Sequence, residues 1–499
     1  MVGIVSLGAY VPRLRLQRAA VVEAVAWFNA GLKVLGKGER AMAGWDEDTI
    51  TMALEAARDC LAAGDRSRVA KVVLASTSLP FADRQNAGVV KEALNLRDDV
   101  AAQDATGSMR AGTSALLDAL YAARGGAGEI LCLASEQRRA RPASEAELMN
   151  GDAAAALLVG TEGLIAEFLG GHSVTVDFVD HFRASDRIYD YAWESRWIRD
   201  EGYGKIAPAA VNAALAKFGL TAADVDRFVL ASPMRGVNAQ VAKACGIAAG
   251  AVQDDLGTRM GDAGCAQPLL LLAHALADAK PGERIVLVGF GQGCDVLVFQ
   301  ATDAVTAPSE RLGVKGWLAR RKPESNYVKH LFFGGALALD GGMRAEADQK
   351  TALTTLYRNR KTVLGLVGGR CTKTGTVQFP KSEISVAQNV RMIDTQEDYP
   401  LADRLARIVT YTADSLAYTP DPPGYYGTVE FEGGGRLLTE FTDVEADAVS
   451  VGQPMRMMFR IKAIDEQRGF KRYFWKAVPD YRASTIKPEG EQRGERHQR

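Results

Sequence analysis

The chain repeats itself, and that repetition constrains its fold more than any other feature. Lys71–Thr77 (KVVLAST) and Glu129–Glu136 (EILCLASE) are short buried-strand patterns that enclose the helix-like GTSALLDALYAA. Further on, Arg227–Pro233 (RFVLASP) and Arg284–Gly293 (RIVLVGFGQG) enclose AQPLLLLAHALADA in the same way, with about 57 residues between paired strand starts in both halves. Each half closes with another small-residue strand, GDAAAALLVG and DVLVFQA. Strand, long connection, apolar helix, strand is α/β patterning. Two copies predict a duplicated core with buried helices between sheets, a layered αβαβα arrangement.

The pattern stops near Thr302. The stretch APSERLGVKGWLARRKPESN is charged and carries prolines, so it reads as a linker, and YVKHLFFGGALAL reads as a docking segment. From Lys361 short alternating strands with glycine turns take over (IVTYTAD, YYGTVEFEGGGRLLTEFTDV, PMRMMFRIKAI, KRYFWKAV), which predicts an all-β barrel. FEGGGRLLT predicts a hairpin within it. The expected organisation is therefore a duplicated core over 1–302, a linker and docking segment over 303–360, a β domain over 361–480 and a flexible tail over 481–499.

Charge and cysteine usage exclude several classes of function. With 60 Lys and Arg against 61 Asp and Glu, no overall field attracts nucleic acid or an acidic membrane surface. No apolar run is long enough for a bilayer span. Cys60, Cys132, Cys245, Cys265, Cys294 and Cys371 form no close pair, which fits reduced thiols in a cytoplasm.

GAYVPRLRL, WDEDTITMALEAA, SMRAGTSAL, GDAAAALLVG, QVAKACGI and AKPGERIVLVGFGQG follow one another along the first 300 residues. In that order they resemble 3-hydroxy-3-methylglutaryl-CoA synthase, of the thiolase superfamily. GGRCTKTGTVQFP, IVTYT, GGRLLTEFTD and VGQPMRM resemble the OB-fold, acyl-CoA-associated proteins that carry a zinc ribbon. The resemblance implies a thiolase-type core followed by an OB-fold, acyl-CoA as ligand or substrate, and a homodimer. It also implies a thiolase-like or aldolase-like protein partner.

That family's chemistry uses a cysteine at a helix N-terminus, a glutamate that moves protons and a histidine at the second acyl site. Carried across by motif, the cysteine's place, three residues before the Gly112-Thr113 pair, holds Met109. The glutamate's place, in STSLP, holds Thr77. The histidine's place, in LASP, holds Ala231. A turn asparagine is replaced by Asp262, and Gly291 and Gln292 of GFGQG would line the site and offer backbone donors. A thioether has no proton to lose, so Met109 reads as an apolar plug and the original cysteine chemistry as lost.

Ser108 adjoins the slot and is the alternative nucleophile, although a neighbouring helical residue points elsewhere. Asp262 has two readings, a carboxylate bonded within its own turn or a base beside an acyl thioester, the second favoured by burial. Cys60 and Cys132 read as core thiols; Cys265 and Cys294 sit near the expected site and also read as small residues filling turns. His172, His181, His274, His330 and His497 assemble no triad or metal set by spacing. In the ribbon Cys371 stands alone, with Thr374 in its partner's place, so no zinc is expected.

The resulting expectation is an acyl-CoA-binding subunit of a complex that forms or cleaves carbon–carbon bonds in acyl-CoA thioesters, its own Cys/Glu/His site degenerate. The alternatives are a cysteine-independent acyl-CoA aldolase or condensing enzyme, using Asp262 and the GFGQG loop, and an active hydroxymethylglutaryl-CoA synthase, an acyltransferase.

Overall fold

Nine strands form one sheet. They are β1 (Gly3–Tyr10), β2 (Val69–Ala75), β3 (Ala101–Ala105), β4 (Glu129–Glu136), β5 (Ala153–Gly160), β6 (Ala166–Thr175), β7 (Arg227–Leu230), β8 (Arg284–Phe290) and β9 (Gly293–Ala301). Their order across the sheet is β7-β8-β9-β6-β1-β5-β4-β2-β3. The computed structural model describes residues 1–307, 310–346, 350, 352–387 and 392–482. Of the tail expected over 481–499, residues 483–499, His497 among them, lie outside the described residues.

The duplication is visible in the strand order. The first half contributes β3-β2-β4-β5-β1 and the second β7-β8-β9-β6. Both contain the same parallel pair, with Leu74 opposite Leu133 and Val229 opposite Leu287. Where the first half has β3, the second has only an isolated bridge, Phe228 to Val252. Parallel neighbours need long crossovers, and the helices occupy these.

Four helices define the layers: α1 (Thr49–Leu61), α2 (Ala111–Arg124), α3 (Ala207–Lys217) and α4 (Gln267–Leu276). α1 packs on β1, β5 and β4, and α3 on β9, β6 and β8, so each covers one half. α2 and α4 touch strands of both halves and each other, which makes them the middle layer. That position explains the PLLLLAHAL sequence: Leu269, Leu270, Leu271 and Leu272 are all buried, as a helix apolar all round requires. Gly112 permits the crossing of the two middle helices. A Cβ there would lie 2.2 Å from the Cys265 carbonyl oxygen.

The segment expected as a linker is only partly one. The chain divides into Met1–Asp340 and Gly341–Arg499, so residues 303–340 belong to the first unit. Lys322–Glu324 pairs in parallel with Leu14–Gln17. Leu312 and Gly313 donate backbone N–H groups to the Asp59 carboxylate at 2.8 and 3.0 Å. Trp317 is buried, its ring 4.6 Å from that of Tyr10. The charged composition hid these anchors, because Arg321 pairs with buried Glu39 and Val314 and Trp317 are buried as well.

In the second unit β10 (Ala406–Asp414), β11 (Gly424–Phe431), β12 (Arg436–Phe441), β13 (Pro454–Asp465) and β14 (Phe470–Pro479) close a barrel in the order β10-β11-β12-β14-β13. Five strands closed in this way are an OB-fold. Met455, Met457, Phe459 and Trp475 are among its buried side chains. The expected hairpin turns through Gly433, Gly434 and Gly435, all at positive φ, which only glycine adopts freely in series. Before the barrel, Val367–Cys371 pairs with Val377–Gln378 and Gln396–Pro400. Cys371 Sγ lies 3.2 Å from Thr395 Oγ1. Among the described residues no three His, Cys, Asp or Glu side chains gather as a metal site, and no helix is long and apolar enough to cross a membrane.

Candidate functional site

The start of α2 is built as the sequence predicts, with Met109 half-buried beside the turn that follows β8. A Cβ on Gly291 would lie 3.1 Å from Met109 Cβ and 2.9 Å from Ser108 Oγ, so glycine is what lets the two segments meet. Ser108 donates its hydroxyl to the Gly291 carbonyl at 3.0 Å. Its proton is committed to that carbonyl, and among the described residues no His or carboxylate is hydrogen-bonded to the hydroxyl to activate it as a nucleophile. Gln292 adopts positive φ, and its carbonyl accepts from Val176 N–H at 3.2 Å.

Arg110 and the first turn of α2 are locked to the second half of the sheet. Arg110 pairs with buried Asp295 at 3.0 Å, and Thr113 and Ser114 donate to the same carboxylate at 3.0 and 2.6 Å. A cavity of about 230 Å³ opens on one flank of this turn, lined in part by Lys71, Gln103, Ser108, Arg110, Ser114 and Asp118. Thr77, Asp262 and the acidic cluster described next do not line it.

That cluster is the main feature the sequence did not announce. Glu136, at the end of β4, is fully buried. It accepts hydrogen bonds from Ser76 Oγ at 3.2 Å, Thr77 N–H at 3.2 Å, Thr77 Oγ1 at 3.0 Å and Ser78 Oγ. Thr77 occupies the place where the resemblance implies a glutamate, and it holds a glutamate from the neighbouring strand instead. The signal was present as a single acid closing an apolar strand, but Glu136 is 59 positions away from Thr77.

Cys265 sits against Glu136, and its thiol is driven well above the ordinary range, first by burial and then by that carboxylate. Cys294 is likewise pushed up by burial, and Cys132 to about 12. None of these three carries a thiolate near neutral pH.

Asp262 is brought into the same region. Its Oδ1 accepts from Gly264 N–H at 2.9 Å, closing its own turn, while its backbone bridges to Asn150. Burial raises its pKa to about 6, against the lowering effects of the Gly264 bond and of Arg138. Gly264 has positive φ, and a Cβ on it would crowd Arg138 Cδ at 3.0 Å and Glu136 Cγ at 3.1 Å. Ala231 is buried at the end of β7. Its neighbour Ser232 hydrogen-bonds Tyr203, whose ring packs 4.4 Å from Phe290 and whose hydroxyl is raised by burial.

Two arginines complete the set. Arg138 donates from Nε and Nη2 to Asp190 Oδ2 at 3.1 and 2.5 Å. Arg183 donates to Asp190 Oδ1 at 3.0 Å and to the Thr77 carbonyl. The site therefore offers a carboxylate that titrates near neutrality, a second buried carboxylate in a cage of hydroxyl and amide donors, and a pair of guanidinium groups. Among the described residues it gathers no histidine, and its thiol, Cys265, is pushed well above the ordinary range.

Comparison with known proteins places this architecture. Residues 215–298 match the family described as 3-Oxoacyl-[acyl-carrier-protein (ACP)] synthase III C terminal, and residues 400–460 match ChsH2, C-terminal OB-fold domain. The hydroxymethylglutaryl-CoA synthase of Archaeoglobus fulgidus is 31% identical over 316 residues, covering 61% of this chain and 90% of that protein. That of Pyrococcus furiosus is 29% identical over 330 residues, covering 64% and 93%. Among solved structures, an HMG-CoA synthase complexed with CoA superposes with a TM-score of 0.60 at 18% identity, covering 70% of this chain and 94% of the other. MvaS in complex with 3-hydroxy-3-methylglutaryl coenzyme A gives 0.57 at 22%, covering 70% and 93%. The thiolase-type fold, the ordered motifs and these relatives agree: the chain belongs to the hydroxymethylglutaryl-CoA synthase family and carries an OB-fold domain behind its synthase-like core.

Proposed function

We propose that this chain is an acyl-CoA-binding subunit of a complex that forms or cleaves carbon–carbon bonds in acyl-CoA thioesters. Its core works as a homodimer beside a thiolase-like or aldolase-like partner protein, and it does not form an acyl-cysteine itself. The observation that carries this reading is the helix start: Met109 stands where a nucleophile is needed, and buried Cys265 and Cys294 are held as thiols. A synthase-like relative solved with CoA supports the choice of ligand. Native purification followed by intact-complex mass spectrometry tests the partner. Incubation with acetyl-CoA tests the site, and a covalent acyl adduct on this chain would overturn the reading.

A second reading, a cysteine-independent aldolase or condensing enzyme, is favoured by Asp262. A base is most effective when its pKa lies near the working pH, and burial has moved this carboxylate toward it. Proton abstraction beside a thioester carbonyl needs that base and an enolate-stabilising group, not a thiolate. Loss of turnover in Asp262→Asn with acyl-CoA binding retained would support this version, and turnover equal to the parent would exclude it.

A further inference from the structure

The chain runs into α3 through a nine-residue π-helix, Ile198–Ile206. Wide turns of this kind are rare and recur at functional sites, where they turn a side chain out of the regular helical register. Here the charged residues face water, with Lys205 paired to Glu201 at 2.7 Å, and the buried residues are Gly202 and Tyr203. A Cβ on Gly202 would lie 2.9 Å from both Phe178 Cε1 and Phe290 Cζ, so glycine lets this backbone close onto the end of β8. The Tyr203 ring then packs 4.4 Å from Phe290, the residue directly before the Gly291–Gln292 turn.

The hydroxyl of Tyr203 reaches the end of β7. Ser232, one residue beyond Ala231, hydrogen-bonds it, and Ser232 Oγ is itself held by the Met234 N–H at 3.1 Å. Alanine at 231 presents a methyl group where the resemblance places an imidazole, and the phenol arrives at the same strand end from another element. Burial raises the phenol, the Ser232 bond opposes that rise and the Asp262 carboxylate adds to it, so Tyr203 keeps its proton at neutral pH.

Three other donors of the region are engaged. The Gly291 N–H bonds the Gly293 carbonyl at 3.0 Å, Ser108 donates to the Gly291 carbonyl, and Thr77 gives its amide and its hydroxyl to Glu136. A neutral hydroxyl fixed in a water-poor wall stabilises an oxygen that gains negative charge, because its dipole is already in place when the charge develops.

We propose that Tyr203 is the enolate-stabilising group of this site, its hydroxyl donating to the carbonyl oxygen of a bound acyl thioester as Asp262 removes the α proton. The proposal rests on the reading of Asp262 as a base and names the second group which that reading requires. In the step the α C–H bond breaks and its proton passes to the Asp262 carboxylate. The electron pair forms the carbon–carbon double bond, and the carbonyl π pair moves to the oxygen that Tyr203 bonds. Return of a proton from Asp262 restores the thioester.

Butyryl-CoA incubated with the full chain in heavy water, buffered above pH 6 where Asp262 is ionised, tests this. Each enolisation lets solvent deuterium replace an α hydrogen, and mass spectrometry of the recovered thioester counts the exchange. The parent is expected to exchange. Tyr203→Phe keeps the ring on Phe290 and removes the hydroxyl, so kcat for exchange should fall about 100- to 1,000-fold with KM unchanged. A kcat equal to the parent's, or a loss carried by KM alone, overturns the assignment. Ser232→Ala removes the group that holds the phenol and gives an independent readout. Its kcat should fall by a smaller factor while the pH midpoint stays at about 6, the value set by Asp262; an unchanged kcat counts against the proposal. If the parent does not exchange, the base reading fails and Tyr203 with it. If exchange is lost in Asp262→Asn and kept in Tyr203→Phe, only the assignment of Tyr203 fails.

Discussion

Replacing Asp262 by Asn should make the protein more stable above pH 6 and leave its stability unchanged at acid pH. The carboxylate titrates at about 6 in the folded chain against an ordinary value of 3.8. A folded pKa above the unfolded one means that the native state holds its proton longer. Below about pH 4 both states are protonated and the group contributes nothing. As pH rises through the window to 6, the unfolded state ionises first and stability falls. Above 6 the full penalty applies, about 3 kcal/mol for a shift of this size. Asparagine keeps an oxygen for the Gly264 N–H and carries no charge to desolvate, so it removes most of that cost. At an unfolding entropy of roughly 2.1 cal/mol/K per residue, about 3 kcal/mol raises the melting temperature of a unit as long as Met1–Asp340 by about 4 °C. Scanning calorimetry of parent and variant from pH 4 to pH 8 reads the difference directly. It should be near zero at the acid end and grow to its plateau above pH 6. A variant destabilised equally at both ends would refute the argument and leave Asp262 as a turn cap alone.

Three further outcomes are expected. Gly112→Ala drives a Cβ to 2.2 Å from the Cys265 carbonyl and should cost about 1–3 kcal/mol despite alanine's better helix propensity, measured by thermal unfolding; a neutral result would mean that α2 and α4 separate easily. Glu136→Gln puts amide hydrogens against the Thr77 N–H and the hydroxyls of Ser76, Thr77 and Ser78, and should cost about 1–3 kcal/mol in the same assay. Met109→Cys restores a thiol at the N-terminus of α2 beside Arg110, and its iodoacetamide labelling should show a pH midpoint below the ~8.5 of a free thiol; a midpoint above that value would show that the helix start does not favour anions.

The repeat was legible because it is local. Each strand and each middle helix carries its own apolar pattern, and KVVLAST and RFVLASP point to equivalent sheet positions wherever the rest of the chain goes. The motif GTSALLDAL likewise located the helix start. Three features depend on tertiary neighbours and were not readable. Glu136 is an unremarked acid until β4 is laid beside β2, when the hydroxyls of Ser76, Thr77 and Ser78 close on it. The segment 303–340 has the charge content of a linker, and only its pairing with Leu14–Gln17 and the burial of Trp317 make it part of the first unit. Arg138 and Arg183 carry no signal in the sequence for the same reason, since their shared partner Asp190 sits on a short hairpin with no apolar period.

The middle layer also bears on how this unit can be divided. α2 and α4 each pack against strands of both halves and against each other, and the glycine at 112 lets α2 meet the backbone of the turn that leads into α4. Each half of the repeat is therefore the other's solvent shield. Cutting the chain between them would lay bare a helix made almost wholly of leucine and alanine. The stretch 215–298, which matches a family of its own, shares a core cluster made within the second half, with Phe228, Val241, Val286 and Val298 buried in it, yet it relies on the first half to cover its leucine helix.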